Sequence, residues 1–231
     1  KVREDIQREK VGQIESIMGR YWAMVRDRRW ERTEKAYLAL TKGQGQLVKT
    51  PEEAIDMSYK EGKTDEFIEP SVITDANGIP LTTIKENDAI IFFNFRIDRP
   101  RQLTASFVVD DFSNQSIFLD FDPYLEKYEK THLAERVKKR ENVFERGHKL
   151  KNLYFVTMTE YSKSLLEAGT YAAFLPEHVD LPLGKVISDA GLKQLRIAES
   201  EKERFVTYYF NGLKEEPFIG EERIIIPSQK I

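Results

Sequence analysis

Arg96 and Arg99 stand three apart at the end of an apolar run, in DAIIFFNFRIDRPRQ (residues 88 to 102), and two guanidinium forks at that spacing are suited to clamp an anion. The run Ala89 to Phe93 has the composition of a strand buried on both faces, as in a parallel sheet. Open α/β sheets bind ligands at the carboxyl ends of their strands, which is where the two arginines fall. Pro100 suits the first turn of a helix over RQLTASFVVDDF, so both cations would stand by the positive end of that helix. A bound anion removes the conflict, and phosphate is the usual occupant of such a place.

Arg20 and Arg26, in MGRYWAMVRDRRW, follow the short strand IESIM and are expected on the same sheet edge, so that four arginines converge on one pocket. Lys202 follows the strand KQLRIAES and could approach from across an interdomain cleft. The plainer reading of any one of these cations is a solvated or salt-bridged residue, with Asp27 and Asp98 as ready partners. Glu199, Glu201 and Asp98 have the chemistry of paired acids, but carboxylates beside basic residues more often orient them. His132, His148 and His178 are too scattered to be a metal set, and the first two are expected at the surface. Tyr21, Trp22 and Tyr37 read as core aromatics. The chain contains no P-loop, GxGxxG or GxSxG signature.

Positioning those residues requires a folded scaffold, and 231 residues, 40% of them hydrophobic, are enough for one large or two small domains. With 36 basic and 39 acidic residues the net charge is −3, which disfavours a general polyanion binder such as a nucleic-acid protein. The absence of cysteine rules out disulfides and thiol chemistry and fits a reducing compartment. No apolar run is long enough to span a bilayer, so a cytoplasmic protein with no membrane partner is expected.

Residues 27 to 41 place Trp30, Ala36, Tyr37 and Leu40 at helical spacing, ended by Gly43 and Gly45. Thr50-Pro51-Glu52-Glu53 predicts a second helix to about residue 61, capped near Gly62. PSVITDANGIPLTTI predicts a hairpin with Asn77-Gly78 as a two-residue turn. Residues 113 to 150, dense in mixed charge, read as a solvated helical excursion. LYFVTM and TYAAFLP read as further strands, with a break near Pro176, followed by the helix VISDAGL, the strand KQLRIAES and the extended RIIIPS. Alternating strands and helices predict an α/β chain with a mainly parallel sheet in each part.

Three motifs in order, GRYWAMVRDRRWERTEKAY, DAIIFFNFRIDRPRQLT, and GLKQLRIAESEKERFVTYYFNG with GEERIIIPS behind it, resemble the cofactor-independent (2,3-bisphosphoglycerate-independent) phosphoglycerate mutases. The resemblance implies an intact enzyme, an isomerase that interconverts 3-phosphoglycerate and 2-phosphoglycerate through a phosphoserine, with two manganese or magnesium ions and no 2,3-bisphosphoglycerate. It implies that residues 1 to 176 are the inserted phosphotransferase domain, incomplete at its start. Residues 177 to 231 would be part of an alkaline-phosphatase-like domain. It assigns Arg20, Arg26, Arg96 and Arg99 to the substrate's carboxylate and phosphate, and Lys202 to the neighbourhood of the nucleophile and migrating phosphoryl group.

The family's serine nucleophile and metal ligands have no counterpart in this chain, which therefore resembles an internal fragment, inactive and metal-free by itself and monomeric. Val25 stands where the family usually has aspartate, Ser200 where it has threonine and Phe205 where it has histidine. The charged stretch 113 to 150 is longer than the family pattern and is expected as a surface insertion. The rival expectation is a non-catalytic α/β module for an anionic metabolite, clamped by Arg96 and Arg99.

Overall fold

Short apolar runs punctuated by glycine, proline and asparagine fold into many small elements. A computed structural model describes residues 2–26, 28–112, 143–177, 179–200 and 202–228. The chain divides into two units, Lys1–Leu175 and Pro176–Ile231. The first runs α1 (Val2–Glu9), β1 (Ser16–Ile17), α2 (Arg20–Ala23), α3 (Trp30–Lys42), β2 (Gln46–Val48), α4 (Pro51–Lys60), a 3-10 turn at Asp65–Phe67 and β3 (Ser71–Ile73). It continues with β4 (Ala89–Phe92), α5 (Arg101–Val108), β5 (Tyr154–Thr159), α6 (Lys163–Glu167) and β6 (Thr170–Phe174). The second contains α7 (Leu183–Asp189), β7 (Gln194–Glu199), α8 (Glu203–Val206) and β8 (Glu221–Ile226).

Among the described residues the strands form three small sheets, in the orders β1-β3-β2, β4-β5-β6 and β7-β8. All pairings are parallel except that of β1 with β3. The α/β class with parallel sheets is therefore the one the sequence predicts. Register is set by the buried alternation: Ile90 pairs with Phe155 and Phe92 with Thr157, which puts Phe92 and Phe155 on the covered face, their rings 6.4 Å apart.

Local chemistry explains the helix limits. The Thr50 hydroxyl accepts from the Glu53 N–H at 3.2 Å ahead of Pro51, and α3 stops where Gly43 turns left-handed at φ 63°. The hairpin differs from the expected two-residue turn: the Asp75 carboxylate accepts from the N–H groups of Asn77 and Ile79, both at 2.9 Å, and widens the loop. Pro100 also sits one place earlier than expected, as the N-cap of α5.

The centre of the first unit is α5, whose eight residues are all buried. Phe107 meets Tyr37 of α3 on one side, with ring centroids 4.9 Å apart, and Phe155 of β5 on the other at 5.8 Å. Trp30, Val109, Phe112, Tyr161 and Leu165 complete this core. Tyr37 is a core aromatic as expected, whereas Tyr21 and Trp22 are only half-buried. Strand β4 corrects the reading of a run buried on both faces. Ile90 and Phe92 face the core, while Ile91 is 69% and Phe93 83% exposed. Tyr154, Tyr171 and Phe174 are exposed on the neighbouring strands, so among the described residues helices cover this sheet on one face only.

The bulk of the charged stretch, residues 113–142, lies outside the described residues, but its end is not the solvated segment that composition suggests. Val143 and Phe144 pack against the core, and Arg146 is buried. Its guanidinium donates to the carbonyls of Ser106 (3.0 Å), Val109 (2.8 Å) and Asp110 (3.1 Å), closing the carboxyl end of α5, and lies 5.1 Å from the centroid of Phe112. Removing it leaves three carbonyls without this donor. Arg146→Ala should destabilise the protein by about 2–3 kcal/mol in chemical denaturation. A loss below about 0.5 kcal/mol, the range of an ordinary surface change, would contradict this role.

Candidate anion-binding site

The site begins at Gly19, where two chain segments come closer than a side chain allows. A Cβ at Gly19 would stand 2.1 Å from the Glu66 carbonyl oxygen, and the Gly19 N–H donates to the Ile68 carbonyl at 2.8 Å. That contact seats α2 on the turn Asp65–Phe67. Tyr21 packs on Phe67 with centroids 5.2 Å apart, and the Trp22 indole N–H donates to the Phe67 carbonyl at 3.4 Å. Arg32 and Lys35 of α3 stack on the rings of Tyr21 and Trp22, at 3.7 and 4.6 Å from their centroids. Arg20 leaves α2 and pairs with Glu66 at 2.8 Å.

The loop from Asn94 to Pro100 carries the second half. Arg96 grips Asp98 side-on, Nε to Oδ1 at 2.6 Å and Nη2 to Oδ2 at 3.2 Å, and Arg26 reaches the same Oδ2 through Nη1 at 3.0 Å. Burial alone would raise the Asp98 pKa, but the hydrogen bonds from Arg96 and Arg26 outweigh it and leave the carboxyl below its ordinary range. Arg99 donates to the Met24 carbonyl at 3.1 Å, joining the loop to the segment after α2. Its own pKa is pulled down, first by burial and then by the charges of Arg26 and Arg20, with Arg96 adding to the effect. Arg26, Arg20 and Arg96 are thus close enough for their charges to act on Arg99.

Arg26 and Arg96 meet on Asp98, but not by the route expected. Arg20 and Arg26 follow β1, which belongs to the β1-β3-β2 sheet, whereas Arg96 and Arg99 follow β4 of the β4-β5-β6 sheet. The two sets meet through Asp98 and the Met24 carbonyl rather than on one sheet edge. Anchors that sequence reading missed hold the loop from below. The buried Tyr161 hydroxyl donates to the Phe92 carbonyl at 3.0 Å and also contacts the Asn94 carbonyl, while the Tyr161 carbonyl accepts from Arg101 Nε at 2.5 Å. Burial pushes the Tyr161 phenol up, so it stays a donor. Gln102, buried in the first turn of α5, accepts from the Arg28 N–H at 2.8 Å, where Arg28 adopts a left-handed φ of 60°.

Lys202 belongs to the second unit. It is exposed at the N-cap of α8, its N–H donates to the Glu199 carbonyl at 2.8 Å, and its ammonium lies 5.8 Å from the centroid of Phe205. Ser200 Oγ accepts from the Ser228 N–H at 3.0 Å. At the opposite end of the β7-β8 pair Glu221 is clamped by Asn211 Nδ2 (2.7 Å) and Arg223 Nε (2.6 Å), which ties β8 to the turn before it. Of the three acids, Asp98 is committed to arginines in the first unit, Glu199 belongs to the second and Glu201 lies outside the described residues. Asp27, His132 and His178 lie outside them too, and His148 is exposed. Among the described residues no three His, Asp or Glu side chains gather as a metal ion needs, so they do not fit the implied metal pair.

Fold and site together define an α/β protein with a basic cluster braced by one carboxylate. The family model described as the BPG-independent PGAM N-terminus matches residues 1–163, and the metalloenzyme superfamily model matches residues 129–231. The chain belongs to the 2,3-bisphosphoglycerate-independent phosphoglycerate mutase family. A mutase of that name from Moorella thermoacetica is 44% identical over 230 residues, and one from Methanococcoides burtonii is 45% identical over 222. The alignments cover 100% and 96% of this chain but only 38% and 36% of those proteins. A Leishmania mexicana phosphoglycerate mutase solved at low cobalt concentration has the same fold, with a TM-score of 0.61 and 22% identity over 99% of this chain and 37% of that one.

Because the obstacle at Gly19 is backbone, Gly19→Ala should cost about 1–3 kcal/mol in denaturation as an overpacked contact. Wild-type stability would show that the Gly19 to Glu66 approach does not constrain α2.

Proposed function

We propose that this chain supplies the substrate-gripping residues of an enzyme that interconverts 3-phosphoglycerate and 2-phosphoglycerate. The observation that carries the reading is the pairing of Arg26 and Arg96 on one carboxylate, Asp98, with Arg99 and Arg20 close enough for their charges to interact, in a chain whose family is known. Phosphoglycerates present a carboxylate and a phosphate, both planar or tripodal oxyanions that guanidinium forks bind in pairs. Several positioned cations also suit a substrate that must remain bound while its phosphoryl group changes oxygen, since the charge on that group is spread over its oxygens.

Residues 1 to 176 are the gripping part in this reading, and residues 177 to 231 belong to the metalloenzyme-type domain, where Lys202 contacts the migrating phosphoryl group. The separation of the chain into compact units at Leu175 and Pro176 supports that division, and the metalloenzyme model, which matches residues 129–231, covers the whole second part. The enzyme is an isomerase that works through a phosphoserine without 2,3-bisphosphoglycerate, is cytoplasmic and monomeric, and uses manganese or magnesium. The phosphoserine and the metal ligands lie outside the residues described, and the roles assigned to the arginines do not depend on them.

The test is turnover of 3-phosphoglycerate by the full-length enzyme. Arg96→Ala and Arg99→Ala should each lower kcat/KM by at least about a hundredfold, the loss of roughly 2.7 kcal/mol of transition-state stabilisation, while the melting temperature stays close to wild type. Near-normal turnover in either variant would remove that arginine from the site.

A further inference from the structure

We propose that Asp98 is a positioning residue for this reaction: its carboxylate, shared by Arg26 and Arg96, holds the two guanidinium groups in the orientation that receives the substrate's oxyanions. The proposal deepens the functional reading above and rests on it. Arg26 and Arg96 lie on segments separated by about seventy residues of sequence and rooted in different sheets. Long, rotamer-rich side chains at such sites would otherwise sample many orientations, and each would have to be frozen when substrate arrives.

The geometry is that of a brace rather than a chance surface pair. Asp98 presents both oxygens to Arg96 and one of them again to Arg26, with all three contacts between 2.6 and 3.2 Å. The carboxylate is the inner member, its side chain 29% exposed against 45% for Arg26 and 61% for Arg96, so the cations are held from behind and stay open to solvent. Its negative charge also offsets part of the repulsion that Arg26, Arg20 and Arg96 exert on Arg99. A single exposed ion pair contributes little. A carboxylate that fixes two ligand-binding forks acts on binding instead.

A group that orients arginines gripping the substrate equally in ground and transition states should change KM more than kcat. In the full-length enzyme, Asp98→Ala is expected to raise KM for 3-phosphoglycerate at least about tenfold while kcat stays within about threefold. Asp98→Asn keeps the shape but turns an N–H donor toward guanidinium donors, and should behave similarly. Because Asp98 acts through Arg96, the Asp98→Ala/Arg96→Ala double variant should fall short of the product of the two single losses by at least about fivefold. If Asp98→Ala does not fold, as melting would show, Asp98→Asn takes its place in the same cycle. Multiplicative losses, or an unchanged KM in the Asp98 variants beside a damaged Arg96→Ala, would overturn the positioning role and leave the proposed function standing. An undamaged Arg96→Ala would overturn the functional reading itself, and the positioning role with it.

Discussion

A helix with no exposed residue has to satisfy both of its ends inside the protein, and α5 imposes that condition on the first unit. Packed between α3 and the inner face of β4 and β5, it cannot turn either terminus to water along its sides. At its carboxyl end Arg146 supplies donors to three carbonyls. At its amino end Pro100 gives no side-chain cap, and the side chains of Arg101 and Gln102 instead anchor that end to Tyr161 and to the segment after α2. The same two ties bring the loop after β4 and the segment after α2 together, so the burial of one short helix is what gathers the arginines.

The concentration of positive charge at that end is a cost the fold must offset. Helix N-termini favour anions, and Arg96 and Arg99 precede one. Asp98 answers part of the conflict within the protein, and a substrate with two oxyanion groups would answer the rest. Arg20, held by Glu66, has a carboxylate of its own. The cluster is thus a set of cations oriented by protein acids.

Much of this was legible in the sequence because it is local. The glycine after α3, the Thr50-Pro51 start of α4 and the apolar run before Arg96 each act within a few residues. So does the 96 to 99 spacing that puts Asp98 beside Arg96. What was not legible depends on contacts between distant segments. The outward face of β4 looks like a buried strand because Ile91 and Phe93 are as apolar as Ile90 and Phe92, and composition cannot say that helices cover one face only. Tyr161 and Arg146 act through backbone carbonyls, which leave no trace in side-chain type. A single arginine at the end of a charged stretch reads as surface until its carbonyl partners are known. Gly19 stands within a motif like any turn glycine, and the close approach that requires it is visible only with Glu66 in place.

The central claim, that Arg96, braced by Asp98, and its neighbour Arg99 receive a phosphoglycerate, is tested most directly by a crystal structure of the full-length protein with 3-phosphoglycerate bound. The expected result is substrate oxygens at hydrogen-bond distance, about 3 Å, from the guanidinium groups of Arg96 and Arg99, with Asp98 still bonded to Arg96. Substrate seated elsewhere, with Arg96 and Arg99 contacting only protein groups, would contradict it.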